Sequence, residues 1–156
     1  MAELTHEESV VVAATPEQLY DLVSDVPRTG EWSPVCTACW WDDGAGPQVG
    51  SWFTGRNVTP ERTWETRSQV VVADRGREFA FLVGGAWVRW GFTVTALDAD
   101  RTRLTESWAF LPAGLERFRE RYGERADAEV AERTDAARTG IPATLAAVKA
   151  IAEGRR

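Results

Sequence analysis

Short strand-like runs separated by turn signals fill the chain from residue 35 to residue 111, and this alternation constrains the fold more than any other feature. The segments between the runs, such as "DDGAGP", "DRG" and "DAD", are typical of hairpin turns, and no long helical pattern interrupts them. Links this short join only antiparallel neighbours, so the sequence predicts an antiparallel meander. Its predicted strands span 35–42, 50–58, 62–73, 77–83, 86–97 and 102–111.

A strand and a helix are predicted before the meander. The apolar run at 9–14 is typical of a strand, and "TPEQLYDLVSDV" follows it. Thr15 is a helix-capping residue, and Gln18 stands at the capping-box spacing from it. We expect the helix to begin after Thr15 and to end at Pro27, because proline interrupts helical hydrogen bonding.

A long helix is predicted after the meander. Small and apolar residues recur every three or four positions from about 125 to 153, which would give a helix on the order of 40 Å. Pro142 predicts a bend in it. The charged run "ERFRERYGERADAEVAER" is interpreted as a solvated helical face in preference to a partner site.

Composition and charge exclude several classes of function. A length of 156 residues favours one domain, 1–156, with one core. The net charge of −6 would repel nucleic acid, and no apolar run approaches the ~20 residues needed to cross a membrane. The start "MAELTHEESV" lacks the features of a secretory signal. We therefore expect a cytoplasmic protein, monomeric or homodimeric, without nucleic-acid binding or membrane insertion.

The cysteines and the histidine favour neither metal nor nucleophile chemistry. Cys36 and Cys39 lie in the extended segment "PVCTACWW", where residues three apart point to opposite faces, so their thiols are not expected to converge. The sole histidine, His6, lies in a charged stretch. We expect two unpaired structural thiols, no metal site, no Ser-His-Asp or Cys-His pair and, without a glycine-rich phosphate loop, no nucleotide or other cofactor.

One face of the predicted sheet mixes residue types that do not form a dry core. Two-residue periodicity places large aromatics there together with a glycine, hydroxyls, an amide and the carboxylate of Glu106, whereas a dry core would be aliphatic. The helix facing it contributes small residues, so we expect incompletely filled space and a small-molecule cavity. The face comprises Phe53, Gly55, Asn57, Trp64, Thr66, Ser68, Val70, Val72, Phe79, Phe81, Val83, Val88, Trp90, Phe92, Val94, Leu104, Glu106, Trp108 and Phe110.

The motifs of the chain resemble one protein superfamily over nearly its whole length. "ATPEQLYDLVSDVPRTGEWSP", "VGSWFTGRN", "RTWETRSQVVVADRGREFAFLV", "WVRWGFTVTAL" and "TRLTESWAF" are together similar to the polyketide cyclase/dehydrase-like branch of the START/Bet v 1 (SRPBCC) superfamily. The resemblance implies an α+β helix-grip (Bet v 1-like) fold, with a curved antiparallel β-sheet wrapped around a long C-terminal α-helix. It also implies a cavity for hydrophobic or aromatic molecules, lined at the positions that lie in the matched strands: Asn57, Trp64, Ser68, Trp90, Glu106 and Trp108.

Glu106 has three interpretations. Burial among aromatic rings would raise the pKa of its carboxyl group towards neutrality, which suits a general acid or base. It could instead anchor a ligand, or it could satisfy an arginine, a water or the Ser68 and Asn57 side chains. With Glu106, we expect the candidate site to include Phe53, Asn57, Trp64, Ser68, Phe81, Trp90, Phe92, Trp108, Ile141 and Leu145.

Three functions from different classes follow from these residues. The first is binding of a small hydrophobic or aromatic molecule in the cavity. The second is a metal-independent enzyme of polyketide cyclase or dehydratase type, with Glu106 moving a proton. The third is a protein-interaction module that uses outward-facing Trp52 or Trp87.

Overall fold

A computed structural model describes residues 4–154 of the chain. As the sequence predicts, a strand and a helix precede the meander and a long helix follows it; a separate shorter helix between the meander and the long helix was not predicted. In chain order they are β1 (Thr5–Val12), α1 (Pro16–Val23), β2 (Cys36–Trp41), β3 (Trp52–Val58), β4 (Thr63–Asp74), β5 (Glu78–Val83), β6 (Val88–Ala96), β7 (Thr102–Phe110), α2 (Pro112–Tyr122) and α3 (Ala126–Ala152), with 3-10 helical turns at Val26–Glu31, Asp42–Gly44 and Gly123–Arg125.

The strands form one antiparallel sheet in the order β1-β7-β6-β5-β4-β3-β2. Strands β2 to β7 are the predicted meander, and their ends agree with the predicted ones to within one or two residues. The first strand begins at Thr5, earlier than expected, and pairs with β7. The curved sheet and the terminal helix confirm the helix-grip arrangement.

Two β-bulges change which residues face the helices. One leaves Thr37 of β2 without a cross-strand partner, and the other does the same to Val71 of β4. Beyond the second bulge Val72 pairs with Ala80 and not with Phe79 or Phe81. The expectation that Val72 faces the helix is therefore wrong, because one extra residue reverses the alternation that follows it.

Helix α1 begins as the sequence predicts and ends earlier. The Thr15 hydroxyl accepts a hydrogen bond from the Gln18 backbone N–H (3.2 Å), and the Gln18 side chain accepts one from the Thr15 N–H (2.9 Å). The helix ends at Val23, and a 3-10 turn over Val26–Glu31 contains Pro27. Proline disfavours the α conformation of the residue before it, which explains an end upstream of position 27.

Helix α3 matches the predicted terminal helix closely. Its 27 residues, Ala126–Ala152, would span about 40 Å at 1.5 Å per residue. It packs against β1, β7, α1 and α2. Pro142 lies inside the helix, and the bend predicted there stays a prediction.

Several of the least exposed residues of the core are aliphatic. Val12, Leu19, Val70, Leu104 and Val148 are at most 1% exposed and belong to one apolar cluster. They are contributed by β1, α1, β4, β7 and α3. None of the five lines the cavity described below, so we assign dense packing to the region they occupy, and Phe79, also 1% exposed, borders both the core and the cavity.

Candidate functional site

A cavity of about 710 Å³ lies against the sheet face that is turned towards the helices. This volume is in the range of small-molecule sites, roughly 300 to 1,000 Å³. The structure brings most of the predicted site residues together on its wall: Phe53, Asn57, Trp64, Ser68, Phe81, Trp90, Phe92, Glu106 and Trp108. That these residues contact a ligand stays a prediction.

Apart from Arg133, helix α3 borders the cavity with small residues, which leave space open. Ala137, Gly140 and Thr144 recur at steps of three and four and line the cavity. Ile141 and Leu145, which we expected in the site, are not on its wall. They are 1% and 3% exposed and belong to the apolar core, because they lie on the neighbouring stripe of the same helix.

Glu106 lies on the cavity wall in the middle of an apolar row. The alternation of β7 places it between Leu104 and Trp108, and its cross-strand neighbours are Phe92 on β6 and Glu8 on β1. The residue is 5% exposed. Within residues 4–154, its Oε1 is the buried side-chain oxygen or nitrogen that has no hydrogen-bond partner. The structure does not pair it with an arginine, which was one of the partners that the structural interpretation allowed.

Burial controls the protonation of Glu106. Removal of the carboxyl group from water raises its pKa from 4.5 to about 8. At neutral pH the group is therefore mostly protonated, with a pKa close enough to 7 to release or take up a proton. A carboxyl group in this state can donate a hydrogen bond to a carbonyl oxygen or accept one from a hydroxyl group.

Other polar groups on the wall come from β3 and β4. Asn57 donates through Nδ2 to Thr66 Oγ1 at 3.2 Å, so these two residues satisfy part of each other's hydrogen-bonding capacity. Ser68, opposite Phe53 in the β3–β4 ladder, is 2% exposed. The structure places Asn57 on the cavity wall, where the sequence predicted it.

Aromatic rings in mutual contact make up much of the wall. Trp90 and Trp108 are paired across β6 and β7 with ring centroids 6.5 Å apart, and Trp108 meets Phe110 edge-on at 6.1 Å. Phe53 and Phe81 meet edge-on at 4.9 Å. Such pairs restrain the rings and give the cavity flat, apolar surfaces that suit a planar or hydrophobic molecule.

Helix α2 supplies cavity residues that the sequence analysis missed. Arg117, Phe118, Arg121 and Tyr122 all line the cavity, although their segment was interpreted as a solvated face. Phe118 contacts Phe110 of the sheet at 5.0 Å. The aromatic spacing of four between Phe118 and Tyr122 was the signal that could have identified this inward face.

The two cysteines also contradict the sequence analysis. A Cβ built on Gly55 would lie 3.2 Å from the Cys36 sulfur and 3.6 Å from the Cys39 sulfur, so both thiols lie over one glycine. Both cysteines line the cavity. The thiols were expected on opposite faces, and the bulge at Thr37 brings them to the same face.

Trp52 and Trp87 are not the exposed residues that an interaction module needs. Each is partly buried, with Arg67 stacked over Trp52 at 4.6 Å and Arg117 over Trp87 at 5.0 Å. The exposed large apolar side chains within residues 4–154 are Val11, Trp40, Val49, Val58 and Leu97. Neither tryptophan is therefore among the fully exposed apolar residues, and the interaction module stays a prediction.

Two features are absent from the described residues. Across positions 4–154, no cluster of three or more His, Cys, Asp or Glu residues has the geometry to hold a metal ion. Over the same residues, no helix has the length and apolar character required to span a membrane.

Solved structures share this architecture. A polyketide-cyclase-like protein from Corynebacterium glutamicum is 51% identical with a TM-score of 0.70, and the match covers 96% of this chain and 91% of that one. The di-domain ARO/CYC StfQ from the steffimycin biosynthetic pathway is 15% identical with a TM-score of 0.69, covering 97% of this chain and 51% of StfQ. A START superfamily protein from Mycobacterium smegmatis is 18% identical with a TM-score of 0.55, covering 86% and 95%.

Comparison with family models gives a match over almost the whole sequence. None of the curated proteins matches the chain. The model that matches, over residues 3–150, is described as polyketide cyclase / dehydrase and lipid transport. The match includes every strand of the sheet and most of α3. The chain therefore belongs to the polyketide cyclase/dehydrase and lipid transport family.

Proposed function

We propose that the protein binds one small hydrophobic or aromatic molecule in the cavity between the sheet and the helices. The observation that carries the proposal is a cavity of about 710 Å³ that combines aromatic walls with a buried, unpartnered carboxyl oxygen. Apolar walls provide burial, and a few convergent polar groups fix orientation.

Glu106 is the anchor in this proposal. A buried polar atom without a partner costs roughly 1 to 3 kcal/mol, and a ligand that supplies the missing hydrogen bond recovers part of that cost. The ligand is therefore a largely apolar molecule with at least one carbonyl or hydroxyl oxygen that can reach Glu106. Trp90, Trp108 and Phe92, the cross-strand neighbour of Glu106, offer flat surfaces for its rings.

The cavity can be tested with a fluorescent probe and a matched pair of variants on α3. Ala137 lines the cavity and is 2% exposed, whereas Ala146 is exposed on the same helix and does not line it. The neutral dye phenylnaphthylamine should bind the native protein, and Ala137→Phe should weaken it at least tenfold. Ala146→Phe should leave affinity unchanged. Equal affinities for the three proteins would contradict the proposal.

The class of ligand can be identified by a second experiment. Native mass spectrometry of protein purified from its own cells would detect a molecule that stays bound in the cavity.

A second candidate function is an enzyme of cyclase or dehydratase type that acts on a bound poly-ketone. The observation that favours it is the pKa of about 8 at Glu106, close to the value that suits a general acid or base at neutral pH. The fold shared with the ARO/CYC protein StfQ also supports this enzyme candidate. In such a reaction the Glu106 carboxyl group would protonate a ketone oxygen, and its carboxylate would remove a proton from the adjacent carbon.

Binding and catalysis are separated by Glu106→Gln. The variant keeps the size and hydrogen-bonding capacity of the side chain and cannot transfer a proton at neutral pH. If the protein is an enzyme, turnover of a poly-ketone substrate mimic should fall at least a hundredfold while dye affinity changes less than threefold. Unchanged turnover, or a pH–rate profile without a titrating group between about 5 and 8, would exclude the acid–base role.

A further inference from the structure

The thiols of Cys36 and Cys39 are reactive groups of the cavity wall that the proposed function does not use. The bulge at Thr37 sets their position, because Cys36 pairs with Asn57 and Cys39 with Gly55. Positions 55 and 57 share one sheet face, so the two cysteines opposite them share it too. The three-residue step from Cys36 to Cys39 on β2 is therefore opposite a two-residue step, from Asn57 to Gly55, on β3.

This register suits a bond between the sulfurs. Two positions of a strand cover about 6.6 Å, within the range of Cα separations that disulfides accept, about 4.4 to 6.8 Å. Gly55 leaves the space into which both sulfurs project, 3.2 and 3.6 Å from where a Cβ would lie. A larger residue at position 55 would separate the sulfurs.

The two thiols differ in reactivity. A hydrogen bond from the Cys39 thiol lowers the pKa of the Cys36 thiol, and the same interaction raises the pKa of Cys39. Cys36 is partly exposed, while Cys39 is 8% exposed. Nucleophilicity requires the thiolate and access to the reagent, so Cys36 is the attacking group and Cys39 the second thiol.

We propose that Cys36 and Cys39 form an oxidant-sensitive dithiol in the cavity wall, which a hydroperoxide converts into an intramolecular disulfide. The Cys36 thiolate attacks the terminal peroxide oxygen, the O–O bond breaks, and the departing alkoxide takes a proton to become an alcohol. This leaves a sulfenic acid on Cys36. The Cys39 sulfur then attacks the Cys36 sulfur, the S–O bond breaks and water leaves. Two thiols thus supply the two electrons that reduce one peroxide.

The reaction can be followed on the native protein with hydrogen peroxide. Cys36 and Cys39 are the only cysteines of the chain, and Met1 is its only methionine. A mass change from oxidation at sulfur can therefore arise only at these three residues. The protein should lose about 2 Da, remain a single chain on a non-reducing gel and regain its mass with dithiothreitol. Peptide mapping should place the link between residues 36 and 39 and separate it from oxidation of Met1.

A comparison with unfolded protein tests whether the fold promotes the reaction. The same two thiols in denaturant are equally close in sequence, but the bulge and the shared position of the sulfurs over Gly55 are gone. The native protein should form the disulfide at least tenfold faster. A native rate equal to or below the unfolded rate would overturn the proposal, as would peroxide products at two independent sulfurs or a disulfide between chains.

Single variants assign the roles. Cys39→Ser should leave a sulfenic acid on Cys36, seen as a gain of about 16 Da that dimedone traps. Cys36→Ser should slow the reaction of the remaining thiol at least tenfold. Faster oxidation of Cys36→Ser than of Cys39→Ser would contradict the assignment. The native-versus-unfolded comparison uses only the wild-type chain, so it decides the proposal even if a variant fails to fold.

Discussion

Replacement of Glu106 by glutamine should change how the stability of the protein depends on pH. The pKa of this carboxyl group is 4.5 when it is exposed by unfolding and about 8 in the folded state. Between these values the unfolded chain ionises while the folded chain stays protonated. Because the folded pKa is the raised one, the contribution to stability is complete below pH 4.5 and is lost as the pH rises through 8.

The size of this change in stability is set by the one proton that Glu106 keeps in the folded state and loses in the unfolded chain. Each pH unit between the two pKa values costs 1.36 kcal/mol, so from pH 5 to pH 7.5 the wild-type protein should lose about 3 kcal/mol that the Glu106→Gln protein keeps. The variant should therefore be more stable than wild type near neutrality and nearly equal to it at pH 5. Other pH-dependent groups occur in both proteins and cancel in the difference.

Urea unfolding at pH 5, 6, 7 and 7.5, followed by tryptophan fluorescence, measures this difference directly. Glu65→Gln removes an exposed carboxylate that pairs with Arg56 on the opposite sheet face, and it controls for the loss of one negative charge. A gap between Glu106→Gln and wild type that stays constant from pH 5 to 7.5 would show that Glu106 is ionised in the folded state. That result would also remove the acid–base candidate function.

Three further substitutions test the framework that holds the cavity. Thr15→Ala removes the hydroxyl that accepts the Gln18 N–H, and it should lower the free energy of unfolding by about 1 kcal/mol in urea titrations, with Thr15→Ser restoring most of it. Thr102→Val deletes a buried hydrogen bond of 2.7 Å to the Ala14 carbonyl and should cost roughly 1 to 3 kcal/mol; no change in the urea midpoint would mean that water replaces the bond. Leu104→Ala, at a fully buried position away from the cavity, should cost roughly 2 to 5 kcal/mol, and a calorimetric loss below 1 kcal/mol would contradict the dense packing assigned to that region.

The sequence predicted the meander well because the evidence for it is local. Alternating side chains and turn residues mark each strand, and Thr15 with Gln18 marks the first helix within four residues. The same alternation placed Glu106 and Trp108 on the face that borders the cavity. For these residues, the neighbouring sequence is enough to predict the element and the face on which each side chain lies.

The sequence misplaced residues where one extra residue in a strand, or the rotation of a helix about its axis, decides which side chains face the cavity. The bulges at Thr37 and Val71 have no local signature, and each reverses the alternation after it, which misplaced the two thiols and Val72. Ile141 and Leu145 lie one stripe away from the helix face that borders the cavity, and only the packing of α3 on the sheet selects between the stripes. Such choices depend on tertiary contacts.

The bulge at Thr37 has a consequence at the outer boundary of the sheet. A free edge strand is a template for pairing with a strand of another molecule. On β2 the irregular backbone at the bulge interrupts the regular pattern that another strand would pair with. The Val26–Glu31 turn also covers this strand closely, since a Cβ on Gly30 would lie 2.6 Å from the Thr37 carbonyl oxygen. At the far edge Lys149 Nζ donates to the Val11 carbonyl at 2.7 Å. Both borders are thereby protected against edge-to-edge growth into aggregates.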